Sequence, residues 1–280
     1  MIKNIIEISA LILACAAVYF DNRSIKVSEY TIKNNKIPSE FNNFKIVHLS
    51  DLHNNRFGKD NIKLIKKINN ENPNIIVMTG DMVNKYDMNF NGFFKLVQDL
   101  SKVYKIYYIV GNHEKRLSED NMNLIIRKLE EFGVTILNDE KAIIKERRDV
   151  INIYGMDLPL LYYRRKKNEI FNIEEFLNKQ MKKYSKEEFN ILLVHNPLYF
   201  DYYSRYNADL ILSGHVHGGM IRLPFMGAIL SPERKFFPKY NSGMYEKNNR
   251  KIIVSRGLGQ SKPGIRLFNM PEIVSITLLN

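Results

Sequence analysis

Five short blocks in the chain carry side chains of the kinds that bind metals: Asp51-Leu52-His53, Gly80-Asp81, Gly111-Asn112-His113-Glu114, His195-Asn196 and Gly214-His215-Val216-His217-Gly218-Gly219. Each follows an apolar, strand-like run, and five of the six histidines fall inside them. Asp51 and His53 stand two positions apart at a predicted strand end, so their side chains are expected on one side, where they can share an ion. A carboxylate with imidazoles suits manganese, iron or zinc better than calcium or magnesium. Asp81 has two oxygens and can bridge a second ion, about 3.5–4 Å from the first in dinuclear hydrolases. Asn112 offers a neutral amide oxygen, and His195, His215 and His217 complete two coordination spheres. Taken singly, an Asp after a strand is usually a turn residue or helix cap, and a buried His is usually a core group. Independent structural roles would not concentrate the histidines in five strand-end blocks. The chemistry indicated is hydrolysis of a phosphate ester at two divalent metal ions. His48, inside the first of these strands, is read as structural or supporting.

The elements that must position these residues are legible as alternating patterns. Phe44–Ser50 predicts a strand, Ile62, Leu64, Ile65 and Ile68 a helix stopped by Asn72-Pro73-Asn74, and Ile75–Met78 the next strand. The cycle repeats with Phe93, Phe94, Leu96, Val97 and Leu100 as helix and Ile106–Val110 as strand. Asp51 and Asp81 are 30 positions apart, and Asp81 and Asn112 are 31 apart. Both intervals have the length of a βαβ unit, which delivers successive ligands to the carboxyl ends of neighbouring parallel strands. In the second half, Ala142–Ile144 and Val150–Tyr154 read as a hairpin-like pair. Ile191–Val194 and Leu210–Leu212 read as buried strands ending at His195 and at the Gly214 block, and Ile252–Ser255 and Ile273–Leu279 as final strands. The fold expected is α/β, two mixed β-sheets packed as a sandwich flanked by helices, with an N-terminal hydrophobic helix.

At 280 residues, with 45% hydrophobic and 26% charged residues, the chain can bury the core of one large domain, and extensive disorder is excluded. The net charge of +12 favours anionic partners. The basic clusters Lys145–Arg148, Arg164–Lys167 and Lys182-Lys183 are accompanied by no nucleic-acid-binding motif, so nucleic acid is not an expected partner, and no feature specifies an oligomer. A single cysteine, Cys15, excludes an intrachain disulfide and a cysteine-rich zinc module. Ile5–Phe20 is an almost unbroken apolar run at the short limit for crossing a bilayer. It is read first as a membrane anchor, then as a cleaved signal peptide, and third as a helix packed on the domain. Arg23, Lys26, Lys33 and Lys36 after the run would keep the domain cytoplasmic, whereas a signal-like shape argues for export. The organisation expected is residues 1–22 as anchor or signal segment, 23–43 as a polar tether and 44–280 as the catalytic domain.

From about Lys45 to Leu279 the chain resembles the calcineurin-like metallophosphoesterase superfamily, whose D-x-H, G-D, G-N-H-[DE], H and G-H-x-H motifs all occur here in order. The runs Gly218–Pro224, Ser255–Gly259 and Pro271–Val274 are similar to the membrane-associated bacterial branch that resembles UDP-2,3-diacylglucosamine hydrolases. The resemblance implies Asp51, His53, Asp81 and His217 on one metal, and Asp81, Asn112, His195 and His215 on the other. It also implies His113 as general acid or electrostatic stabiliser, and Glu114 as the acidic residue that orients it. The expected substrate is a phosphorylated small molecule or lipid, carried as a phosphodiester, pyrophosphate or phosphomonoester. Leu158–Tyr163, followed by Arg164–Lys167, reads either as an apolar surface beside cations suited to a lipid phosphate or as a packed stem under a solvated insertion. Alternatives are a broad phosphatase or nuclease for soluble substrates, and a metal-stabilised binding module. The intact non-ligand His113 argues against the module.

Overall fold

The computed structural model describes residue 7 and residues 24–163, 172–219, 221–223, 227–230, 236–259, 266 and 268–280. Apart from Glu7, the apolar run Ile5–Phe20 lies outside them, as does the Arg164–Lys167 cluster; among the described residues no helix is long and apolar enough to cross a membrane.

The apolar runs read from the sequence form strands, and further strands complete the sheets. In chain order these are β1 (Lys26–Lys33), β2 (Lys45–Leu49), β3 (Ile75–Met78), β4 (Lys105–Tyr108), β5 (Thr135–Ile136), β6 (Lys141–Glu146), β7 (Asp149–Met156), β8 (Asn190–Val194), β9 (Leu210–Ser213), β10 (Ile221–Leu223), β11 (Gly227–Leu230), β12 (Gly243–Lys247), β13 (Arg250–Val254) and β14 (Glu272–Leu279). One six-stranded sheet has the order β1-β14-β2-β3-β4-β5, the other β12-β13-β9-β8-β7-β6. Both are mixed. β14 is antiparallel to β2 in the first, and β12 and β6 are antiparallel to their neighbours in the second. β10 and β11 form a separate antiparallel ribbon.

Side-chain alternation builds three apolar layers from these sheets. Ile46, Val77, Tyr107 and Ile109 meet Ile153, Ile191, Leu193 and Leu212 between the sheets. The neighbouring positions Val47, Leu49, Ile76 and Met78 turn outward to Leu64, Phe93, Val97 and Leu129 on the helices Ile62–Glu71, Asn91–Ser101 and Glu119–Glu131. On the outer face of the second sheet, Leu192, Val194 and Ile211 pack with Leu177, Phe200 and Tyr203 on Ile173–Met181 and Phe200–Tyr203. Strands buried on both faces read as continuous apolar runs, which is why the parallel ones stand out in the sequence.

Two features of this frame position the site. Leu49, Met78 and Tyr108 are in register across β2, β3 and β4, so the three parallel strands end flush. β8 and β9 are likewise parallel neighbours and end at Val194 and Ser213, immediately before His195 and Gly214. All five blocks therefore begin at carboxyl ends of parallel strands.

Residues 24–43 depart from the tether expected there. They form edge strand β1, paired in parallel with β14 along eight positions, and Ile32, Ile37 and Phe41 enter the core between the sheets. The physical reason is that β1 has one sheet neighbour and its Lys26–Lys33 sequence buries only Ile32, so its composition looks solvated. Replacing Ile32 by Ala is expected to lower unfolding free energy by ~2–5 kcal/mol, read from urea denaturation. A tether residue would show no change.

Candidate metal centre

Just past the flush strand ends the backbone enters the left-handed region at residues other than glycine: φ is 51° at Asp51, 48° at His53, 51° at Asp81, 72° at His215 and 55° at His217. Asp, Asn and His tolerate this conformation better than most residues, yet each instance costs on the order of 1–3 kcal/mol. Asp51 and His53 do converge, with His53 Nε2 4.0 Å from Asp51 Oδ1, but by a different route from the one their spacing suggests. β2 ends at Leu49, so left-handed turns rather than strand pleating bring them together. The turns are cross-braced between blocks: Asp51 N–H donates to Gly80 O and His53 N–H to Asp81 O, both at 3.0 Å.

The donor atoms gather in three overlapping sets, each within 4.8 Å: Asp51, His53 and His217; Asp81, His195 and His215; and His53, Asp81 and His113. His195 Nε2 lies 3.2 Å from Asp81 Oδ2 and 3.9 Å from Asp51 Oδ1, between the two carboxylates. His53 Nε2 and His217 Nε2 face each other at 3.1 Å, an approach at which two neutral rings can share only one proton. Asn112 Oδ1 and His195 Nε2 are buried without any hydrogen bond. A buried amide oxygen without a partner, and an imidazole nitrogen lying between two buried carboxylates, are what divalent cations satisfy, so the residues present fit the two ions.

Surrounding groups fix the ring orientations. His195 Nδ1 meets Thr79 O at 2.6 Å, which puts its proton there and leaves Nε2 as a ligand. His48 Nε2 contacts Thr79 Oγ1 at 2.7 Å, and Thr79 Oγ1 donates to Ser50 Oγ at 2.9 Å. His48 thus supports the Thr79–Asp81 turn, whose carbonyl holds the His195 ring, and burial pushes its own ring down to about 3, into the neutral form. Burial likewise lowers His53 to about 3 and His217 well below its usual value. For His195 burial also disfavours charge, but the Asp81 and Asp51 carboxylates outweigh it and raise the ring to about 9.

The Glu114 side chain bonds main-chain groups on both sides of the site. Its carboxylate is fully buried and accepts four backbone N–H bonds, from Asp81 (2.9 Å) and Gly111 (2.9 Å) at Oε2 and from Met82 (2.7 Å) and Val83 (3.2 Å) at Oε1. It clamps the Asp81 loop to the Gly111 loop. Asp81 Oδ1 in turn accepts from His113 N–H at 2.7 Å. A Cβ at Gly111 would collide with the Asp81 carboxylate, and one at Gly214 with Ser50 and the Asp51 carboxylate, so these two turns must be glycine. His113 Nδ1 accepts from Lys85 N–H at 3.3 Å, and its Nε2 lies 4.0 Å from Asp81 Oδ2.

Several supporting residues carry no local sequence cue. Asn269 Nδ2 donates to His217 O (2.7 Å) and Gly219 O (2.9 Å), holding the last ligand loop from 52 positions away. The buried Arg266 guanidinium donates to the carbonyls of Gly259 and Asn269, and Gly259 N–H bonds Asp51 O. Within Leu158–Tyr163, Leu158 and Tyr162 pack into the outer layer of the second sheet, as a stem would. Tyr163 stands edge-on to His215 at 5.1 Å between ring centres and 6.0 Å from His195, forming a wall of the site.

The pattern of the calcineurin-like phosphoesterase family matches residues 44–219. The chain is 31% identical to the uncharacterized metallophosphoesterase YkuE of Bacillus subtilis, over 94% of this chain and 88% of that one. It is 30% identical to an uncharacterized metallophosphoesterase of Aquifex aeolicus, over 95% and 97%. It is 28% identical to the phosphodiesterase YaeI of Escherichia coli, over 84% and 82%.

Two outcomes test this geometry. Glu114→Gln removes the acceptor from part of a buried four-bond clamp, at about 1–3 kcal/mol for each N–H left unpaired, and metal content by elemental analysis is expected to fall with stability. Full metal content with only a shifted pH profile would return Glu114 to the role of orienting His113. Second, metal-stripped protein near pH 7 carries a proton on His195, whose raised value lies above that pH, while His53 and His217 are already neutral. Metal addition must displace the His195 proton. Calorimetry in buffers of different ionisation enthalpy is expected to show proton release that fades as pH rises through about 9.

Proposed function

Because the chain belongs to the calcineurin-like phosphoesterase family, metal-dependent hydrolases of phosphoric esters that work with two divalent ions, we propose that it is a phosphodiesterase acting on lipid-linked or nucleotide-linked substrates, anchored to a membrane by residues 1–22. In this reading Asp51, His53, Asp81 and His217 hold one ion, and Asp81, Asn112, His195 and His215 the other. Bound ions supply Lewis-acid polarisation of the phosphate and a water of lowered pKa. Tyr163 bounds the space beside His215.

The observation that carries the catalytic assignment is the hydrogen bond from Lys85 N–H to His113 Nδ1. It leaves the ring proton on Nε2, the nitrogen facing Asp81, and burial holds the ring toward its neutral form. An N–H so placed donates to the transferring phosphate or to the departing oxygen. Preference for a diester is supported by the similarity to YaeI, described as a phosphodiesterase. Membrane attachment is supported by the Ile5–Phe20 run, and anionic substrates by the net charge of +12.

With Mn²⁺ present, bis(p-nitrophenyl) phosphate is expected to be turned over in preference to p-nitrophenyl phosphate; the reverse preference would sink the diester reading. His113→Ala is expected to keep both ions and to slow turnover by roughly 10²–10⁴-fold, with a smaller loss for diesters whose leaving group is already acidic. Loss of an ion in that variant would make His113 a ligand instead.

A further inference from the structure

The end of the first sheet that carries the metal centre is also the end at which β1 begins. β1 runs parallel to β14, with Lys26 paired to Glu272, and β14 runs antiparallel to β2, with Val274 paired to His48, three residues before Asp51. Lys26 N–H donates to Pro271 O at 2.8 Å, Glu272 N–H to Gly257 O at 3.0 Å, and Gly257 lies against the Asp51 side chain. Ile25 is buried at this rim. Only residues 21–24 separate it from Phe20, the last residue of the apolar run. Even fully extended, that connection reaches no more than about 18 Å.

Large apolar side chains are exposed on segments that adjoin the metal-site loops. Phe236 (73% exposed) and Phe237 follow β11, tied to it by the Leu230–Phe236 bridge and by Phe237 N–H to Ile229 O, and β11 lies against Gly219 through Ala228. Phe268 and Met270 flank Asn269, which grips His217 and Gly219. Tyr86 and Met88 (89% exposed) project from the loop after Asp81, beside the Lys85 N–H that meets His113. Isolated exposed apolar residues are ordinary. Six of them on segments that adjoin the metal-site loops, at the sheet end tethered closest to an apolar run, mark a surface that meets another apolar phase.

We propose that the metal-centre rim docks on a lipid bilayer, these side chains entering the headgroup layer so that the centre opens onto the membrane surface. The proposal rests on the membrane attachment read under the proposed function and adds the orientation: a substrate phosphate would arrive from the headgroup layer and not from bulk water. The exposed Lys26 and the overall positive charge favour an anionic leaflet.

The chain contains no tryptophan, so a single introduced one reports its own surroundings. Full-length Phe236→Trp, Met88→Trp and Val103→Trp chains would be reconstituted with vesicles of phosphatidylcholine and phosphatidylglycerol bearing brominated acyl chains. Val103 is exposed but precedes β4, at the opposite end of the sheet. Hydrolysis of a soluble diester checks that each chain is folded. Expected are loss of emission and a blue shift at positions 236 and 88, with none at 103. Vesicle-bound protein in which 236 and 88 are quenched no more than 103 would overturn the docking while leaving attachment intact. Protein that does not sediment with vesicles yet still turns over the soluble diester would overturn docking and attachment together, and leave the hydrolase standing.

Discussion

Two buried carboxylates, Asp51 and Asp81, approach the same imidazole within 4 Å. Like charges at that range in a low-dielectric site repel strongly unless cations lie among them. The His195 ring responds in the only way open to it without metal, by binding a proton more tightly. Three features of the rim keep these two groups from relaxing apart: the Glu114 clamp under Asp81, the His215 N–H bonds to both Asp51 oxygens at 3.1 and 3.0 Å, and the glycines that leave no room for retreat.

Such a site needs a stiff frame, because its turns are strained. Five residues of the candidate metal centre hold left-handed backbone conformations, and strained conformers persist only where their surroundings over-determine them. The sandwich provides that through strands buried on both faces and through bonds that link the turns to one another before they reach the side chains. The polar chain from His48 through Thr79 to Ser50 extends the bracing beneath the rim, with the Thr79 carbonyl holding His195.

What was legible in the sequence follows from locality. Asp51, Asp81 and Asn112 could be placed because βαβ units repeat at a length set by covalent geometry, and β2, β3 and β4 announce themselves as apolar runs. β1 was hidden because its one sheet neighbour, β14, is over two hundred residues away and only one of its side chains is fully buried. The work of Glu114 was hidden for a related reason. Its position beside His113 suggests a partnership, whereas its side chain turns back to the main chain of the preceding block, a choice made by burial. Asn269 and Arg266 hold the site through backbone carbonyls, which leave no trace in residue type.

The strand order of the first sheet also imposes an order of assembly. β14 lies between β1 and β2, so among the described residues two strands close in sequence are joined only through one more than two hundred residues further along. Until it arrives, β2 lacks a neighbour on one side, and the Gly257–Gly259 turn that backs Asp51 has nothing to anchor it through Glu272. Local βαβ units can form early, but closure of this sheet is a long-range event and correspondingly slow. The metal centre is therefore completed only when this distant strand has paired.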